Sequence, residues 1–207
     1  RQAMPMGTAG FTAPQCVLAL QQQGVEPGSG EVVVTGATGG VGSLSVQLLV
    51  QLGYRVVAVT GKRHEHQRLL DAGVHCVLSR EELQLDARRP IHSARWAGGV
   101  DTVGGELLTQ LLRQTKYGGA VAACGLVAGA DLNMTLYPFL LRGVALCGVA
   151  SADCPYPRRK KVWEKLAGPW RLEVPESWVR EVSLEGLQAC LDAMRQGQVA
   201  GRVIVKL

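Results

Sequence analysis

The chain has 207 residues, which suits one large domain or a domain with a further segment. Its 47% hydrophobic content holds only 5% aromatics, as an aliphatic α/β core requires. The net charge of +5 is modest and the basic residues are dispersed, which argues against nucleic acid as the main partner. No apolar run reaches transmembrane length and no signal peptide is visible.

The chain starts Arg1-Gln2-Ala3-Met4-Pro5-Met6-Gly7 without an initiator methionine and turns helical almost at once, which predicts a piece of a longer protein. Residues 8–24 alternate apolar and polar groups at helical spacing, with Thr8 placed as an N-cap and Gly24 ending the run. Residues 25–30 are turn chemistry. Then comes Val32-Val33-Val34-Thr35-Gly36-Ala37-Thr38-Gly39-Gly40-Val41-Gly42-Ser43, an apolar strand that turns through small residues into a helix. Small residues there let the backbone approach a phosphate, and free N–H groups at the helix N-terminus face negative charge. Written Ala37-x-Gly39-x-x-Gly42, it is the dinucleotide fingerprint with Ala at its first small position, a weak signal alone. Its context agrees: residues 43–52 keep helical apolar spacing, Gly53 fits a C-cap, and residues 55–60 form a β-branched strand. Strand, turn, helix and strand fill about thirty residues, as one βαβ unit requires. The alternative is a tight packing turn without a ligand.

An NAD site usually carries Asp or Glu roughly twenty residues after the glycines to hold the ribose 2′-hydroxyl. Here the second strand ends Val59-Thr60-Gly61-Lys62-Arg63-His64, with no carboxylate before Glu65. Thr60 and the Gly61 backbone can donate to a 2′-phosphate, and Lys62 and Arg63 can neutralise it, so NADP(H) is favoured. The other reading of the Lys-Arg pair is a solvated start to a surface helix. His64 and His66 with Glu65 have no evident third ligand, so no metal site is expected.

Residues 64–72 predict a short helix closed by Gly73, residues 74–78 a third strand, and residues 79–96 a polar loop. A fourth strand spans 99–104, a helix 107–117, a fifth strand 119–125, a short helix 136–141 and a sixth strand 144–150. This alternation implies a Rossmann-type, doubly wound parallel sheet of about six strands. Ligands of such sheets lie at the carboxyl ends of the strands, so Asp101, Val103, Cys124 and Leu126 are expected beside Gly39, Gly40, Val41 and Gly42. No His lies near Cys124 in sequence, which makes it a cleft-wall residue rather than a nucleophile. Six cysteines (16, 76, 124, 147, 154, 190) without a CxxC pair predict reduced, mostly buried thiols of a cytoplasmic compartment. After residue 150 the alternation stops. Pro155, Pro157 and Arg158 to Lys161 precede an amphipathic stretch to Ala167, residues 170–181 are extended and polar, Ser183 caps a helix to Arg195, and residues 201–207 form a last strand.

Several blocks then act together: residues 7–13 (Gly-Thr-Ala-Gly-Phe-Thr-Ala), 33–43, 96–104 (Trp-Ala-Gly-Gly-Val-Asp-Thr-Val-Gly), 117–126 (Tyr-Gly-Gly-Ala-Val-Ala-Ala-Cys-Gly-Leu), 138–144 and 201–206. With them the chain resembles the medium-chain dehydrogenase/reductase superfamily, zinc-independent quinone oxidoreductase branch, and most closely its acryloyl-CoA reductase subgroup. The resemblance implies an NADPH-dependent reductase that passes hydride to the β-carbon of an enone, a quinone or an acyl-CoA thioester. By matching position, Thr38, Gly39, Gly40 and Val41 would hold the pyrophosphate, Thr60, Gly61 and Lys62 the 2′-phosphate, and Leu126 and Leu140 would sit near the nicotinamide. It further implies residues 1–30 as a linking helix, 31–150 as the NADP-binding domain, and 151–207 as a segment packing on a missing catalytic, GroES-like domain. A homodimer through the strand at 144–150 is implied as well.

Two other readings stand beside it. The Gly-rich turn also fits the short-chain dehydrogenase pattern, with Tyr156 and Lys160 as its Tyr-x-x-x-Lys; Pro157 would place Tyr156 ahead of the helix, and the accompanying Ser is missing. The third is a module that binds or senses NADP(H) without turnover.

Overall fold

A computed structural model describes residues 3–206; Arg1, Gln2 and Leu207, and with them the ends of the first and last expected segments, lie outside the described residues. The first helix, α1 (Gly7–Gln22), precedes the βαβ unit β1 (Glu31–Thr35), α2 (Gly40–Gln51) and β2 (Arg55–Val59). Next come α3 (His66–Asp71), β3 (Cys76–Leu78), α4 (Arg80–Leu83), β4 (Trp96–Asp101), α5 (Gly105–Arg113), β5 (Thr115–Ala123), α6 (Tyr137–Arg142) and β6 (Ala145–Gly148). The remainder is α7 (Tyr156–Ala167), β7 (Val179–Ser183), α8 (Leu187–Arg195) and β8 (Arg202–Lys206).

Six strands form one parallel sheet in the order β3-β2-β1-β4-β5-β6, the doubly wound α/β arrangement. The run of three valines in β1 is explained by burial on both faces. Val32 and Val34 pack with Cys16, Val17 and Leu20 of α1 and Val46 and Leu49 of α2, while Val33 points into the opposite layer with Leu108, Leu111 and Leu112 of α5.

Several boundaries differ from the sequence expectation. Thr8 lies inside α1, and residue 6 caps that helix with no side-chain hydrogen bond. The stretch at 79–96 contains α4, because Ser79 accepts the Glu82 N–H while the Glu82 carboxylate accepts the Ser79 N–H, a complete capping box. Helix α5 stops at Arg113 rather than Tyr117: the chain enters β5 at Thr115, which pairs with Trp96, and the ladder resumes at Gly98 and Ala120. Ser183 ends β7 instead of capping α8, and its hydroxyl accepts the Gly186 N–H at 3.4 Å. The parallel pair β7–β8 was expected only as an extended stretch and a last strand.

The last residue of β4 is the fully buried Asp101, whose Oδ1 accepts from the Thr35 hydroxyl at the end of β1 at 2.6 Å and whose Oδ2 accepts from the Gly104 N–H at 2.7 Å and the Val103 N–H at 3.3 Å. Burial raises the Asp101 pKa above the ordinary carboxylate value, and these three donors oppose that shift. Thr35 also accepts the Thr102 N–H at 3.2 Å. Thr35→Val keeps the shape but strands the carboxylate oxygen and that amide. It is expected to lower unfolding free energy by about 2–3 kcal/mol, read from the urea midpoint.

Candidate functional site

The turn between β1 and α2 is held by close backbone approach. Gly36 has φ +61°, its carbonyl accepts the Gly39 N–H at 2.8 Å, and a Cβ on Gly42 would lie 2.8 Å from the Gly36 carbonyl carbon and 3.0 Å from the Ala37 Cα. Only glycine at 42 lets α2 begin directly against the end of β1. The first N–H groups of α2 then have no acceptor within their own helix, and the positive end of its dipole faces the carboxyl edge of the sheet.

Arg202 lies over this turn, a contact that nothing in the local sequence pattern signals. Its Nε donates to the Pro5 carbonyl at 2.6 Å, and a side chain on Gly40 would collide with its guanidinium. The neighbouring Gly201 N–H donates to the Thr38 carbonyl at 2.7 Å, so the start of β8 is fixed to the turn. The guanidinium is half-buried, makes no ion pair with a described residue, and burial lowers its pKa. A desolvated cation beside a helix N-terminus is an anion site in its chemistry.

A second cationic cradle stands at the end of β2. The buried hydroxyls of Thr38 and Thr60 are 3.1 Å apart, the Lys62 N–H donates to Thr60 Oγ1 at 3.2 Å, and Lys62 Nζ reaches Thr38 Oγ1 at 3.5 Å. A Cβ on Gly61 would lie 3.2 Å from Arg80 Nε, so the Arg80 guanidinium rests on that glycine. Burial first, and the nearby Arg80 second, lower the Lys62 pKa from its ordinary value. Arg80 carries no signal in the sequence, because residues 79–96 read as a polar loop; α4 brings it to Gly61. Arg63 opens a short 3-10 turn (Arg63–Glu65) with its side chain exposed.

The other expected residues divide. Asp101 and Val103 are buried and shape the turn after β4 from within. Cys124 follows β5, half-buried, with its N–H donating to the Asp101 carbonyl at 2.9 Å. Leu126 and Leu140 are exposed and supply apolar surface. Tyr156 and Lys160 both lie in α7, contrary to the expectation that Pro157 keeps Tyr156 outside it: proline at a helix's first turn lacks only an N–H that would be unpaired anyway. Tyr156 is exposed, Lys160 faces Glu164 at 3.8 Å, and α7 packs on Phe11 of α1. Among the described residues no group of three His, Cys, Asp or Glu side chains is placed to hold a metal ion.

Residues 40–168 match the family described as zinc-binding dehydrogenase. Those residues bring together no side-chain cluster that fits a zinc centre. The chain is 46% identical over 205 residues to the acrylyl-CoA reductase AcuI of Ruegeria pomeroyi, covering 99% of the chain and 62% of that protein. It is 44% identical to the putative quinone oxidoreductase YhfP of Bacillus subtilis, covering 100% of the chain and 63% of the relative. The crystal structure of Escherichia coli K-12 YhdH with bound NADPH has a TM-score of 0.91 at 46% identity, covering 100% of this chain and 63% of that one. Bacillus subtilis yhfP with NAD bound gives a TM-score of 0.91 at 44% identity over 100% of this chain and 63% of that one. The chain thus spans 62–63% of the length of these relatives.

Arg202→Ala is expected to weaken the binding of inorganic pyrophosphate, used as a probe of this turn, about ten- to hundredfold, the equivalent of one charge-assisted hydrogen bond, in a calorimetric titration.

Proposed function

From the premise that this chain belongs to the zinc-binding dehydrogenase family, we propose that it is the cofactor-binding portion of an NADPH-dependent reductase of activated C=C bonds or quinones. The observation that carries this is the cradle of Thr60, Gly61, Lys62 and Arg80 at the end of β2, two cations drawn together where a carboxylate would select NAD. Thr38, Gly39, Gly40, Val41 and Gly42 hold the pyrophosphate on the N–H groups of α2, and Arg202 neutralises it from above. Thr60 and the Gly61 N–H donate to the 2′-phosphate, Lys62, Arg63 and Arg80 balance its charge, and Asp101 and Val103 keep the adjoining turn in place. Cys124, Leu126 and Leu140 wall the nicotinamide end, where the exposed leucines exclude water from the transfer. When bound, NADPH supplies a hydride from nicotinamide C4 to the β-carbon of an enone, a quinone or an unsaturated acyl-CoA thioester.

A cytoplasmic location is part of this proposal, supported by six cysteines with no disulfide between them; no helix among the described residues is long and apolar enough to cross a membrane. A homodimer is proposed through β6, which stands at the edge of the sheet with Leu146 exposed. Residues 1–30 serve as a linking helix and 31–150 as the NADP-binding domain. Residues 151–207 return toward a catalytic, GroES-like domain; the reading is supported by β7–β8, a two-stranded sheet too small to be stable by itself.

The test is NADPH oxidation by the full-length protein with acryloyl-CoA and with a quinone. Loss of the nicotinamide absorbance is expected; tight NADPH binding without turnover would move the reading to a sensing module. In the same protein, Lys62→Ala and Arg80→Ala should each weaken NADPH about tenfold, one charge-assisted contact, with NADH unaffected. An unchanged preference between the two cofactors overturns the 2′-phosphate assignment.

A further inference from the structure

Helix α7 (Tyr156–Ala167) holds five of the chain's 22 Lys and Arg and only one of its 17 Asp and Glu. Its net charge of +4 is most of the +5 of the whole chain, so the dispersal of basic residues describes the molecule outside this helix. Two of the five cations are partly engaged. Arg159 turns inward, its Nη2 donating to the Ser151 carbonyl at 3.0 Å and its guanidinium lying 4.5 Å from the Phe11 ring. Lys160 faces Glu164, the one acid of the helix, at 3.8 Å. Arg158 and Lys161 are exposed and make no ion pair with a described residue, and the Lys165 ammonium, 4.4 Å from the Trp170 ring, keeps its charge.

Arg158, Lys161 and Lys165 stand at i, i+3 and i+7, along one flank of α7. Like charges one turn apart repel, and the packing of Val162 and Leu166 with Phe11 of α1 holds them together. Tyr156, Lys160 and Trp163 follow at i, i+4 and i+7 on the other open flank. Tyr156 is 75% exposed and Trp163 42%, the latter braced by stacking on Phe11 with ring centroids 5.8 Å apart. A single phosphate needs donors that converge on it. These cations diverge from a convex helix, so the partner that fits them is extended and flat.

We propose that the open ridge of α7 docks on a membrane surface rich in anionic phospholipid. The Lys and Arg side chains meet headgroup phosphates and carboxylates, and Tyr156 and Trp163 enter the headgroup layer as interfacial aromatics. The apolar face of α7 is already packed on α1, so the attachment is electrostatic and reversible, on the membrane rather than through it. It stands apart from the reductase reading, because docking is measured without turnover.

The experiment sediments the full-length protein with vesicles of phosphatidylcholine alone and of phosphatidylcholine with phosphatidylserine. Binding to the phosphatidylserine vesicles only is expected at low salt, with loss in about 1 M NaCl, where charges are screened beyond about 3 Å. Arg158→Gln combined with Lys161→Gln should weaken it about 25-fold, about fivefold for each charge removed, with a thermal midpoint no lower than that of the unmodified protein. Equal binding to both vesicles, no binding, or unchanged binding by the double variant overturns the proposal. Capture of a duplex DNA oligomer in place of the vesicles also overturns it and makes the ridge a nucleic-acid surface.

Discussion

The contact between Gly36 and Gly42 is the constraint on which the rest depends. Two segments of backbone occupy space that any side chain at 42 would need, so the end of β1 and the start of α2 are locked at one separation. This fixes where the unpaired N–H groups of α2 point, and so where an anion can be held. Leu44, Val46, Leu48 and Leu49 then bury the rest of the helix, which keeps that geometry from relaxing. Packing of aliphatic side chains and the electrostatics of the turn are therefore one arrangement.

The two cationic groups around the turn differ in how they are held. Lys62 is brought in by β2 and by the hydroxyls of Thr38 and Thr60, within a single βαβ unit. Arg202 arrives from the far end of the chain and is steadied by the Pro5 carbonyl. Each cation loses hydration where it sits, and each has its proton affinity lowered by burial. Partial loss of hydration makes a cation costly to hold, and a bound anion offsets that cost. Asp101 provides the contrast: its charge is answered inside the protein by a hydroxyl and two amides.

The six-stranded sheet was legible because each strand is a short apolar run punctuated by glycine, and the Gly-rich turn because its chemistry is contiguous. What escaped were contacts without a local pattern. Arg80 follows a Ser-x-x-Glu cap in a stretch whose polarity suggested a loop, and its approach to Gly61 depends on how α4 is set against β2. Arg202 meets Gly40 across most of the chain, a distance over which no periodicity carries information. The early start of β5 escaped for another reason: Thr115 reads as helical by spacing, but its hydroxyl binds the Leu111 carbonyl and the backbone leaves the helix to pair with Trp96. Family resemblance supplied the meaning of residues 201–206, and the structure supplied their position.

The hydrogen bond from the Gly201 amide to the Thr38 carbonyl joins the first residue before β8 to the middle of the glycine turn. With the Arg202 bond to Pro5, it brings three distant stretches of chain to one point. Any loosening of the turn must release that amide, whose hydrogen then becomes open to exchange with solvent. Gly201, which belongs to no ligand contact itself, is thus a resident gauge of how firmly the turn is closed.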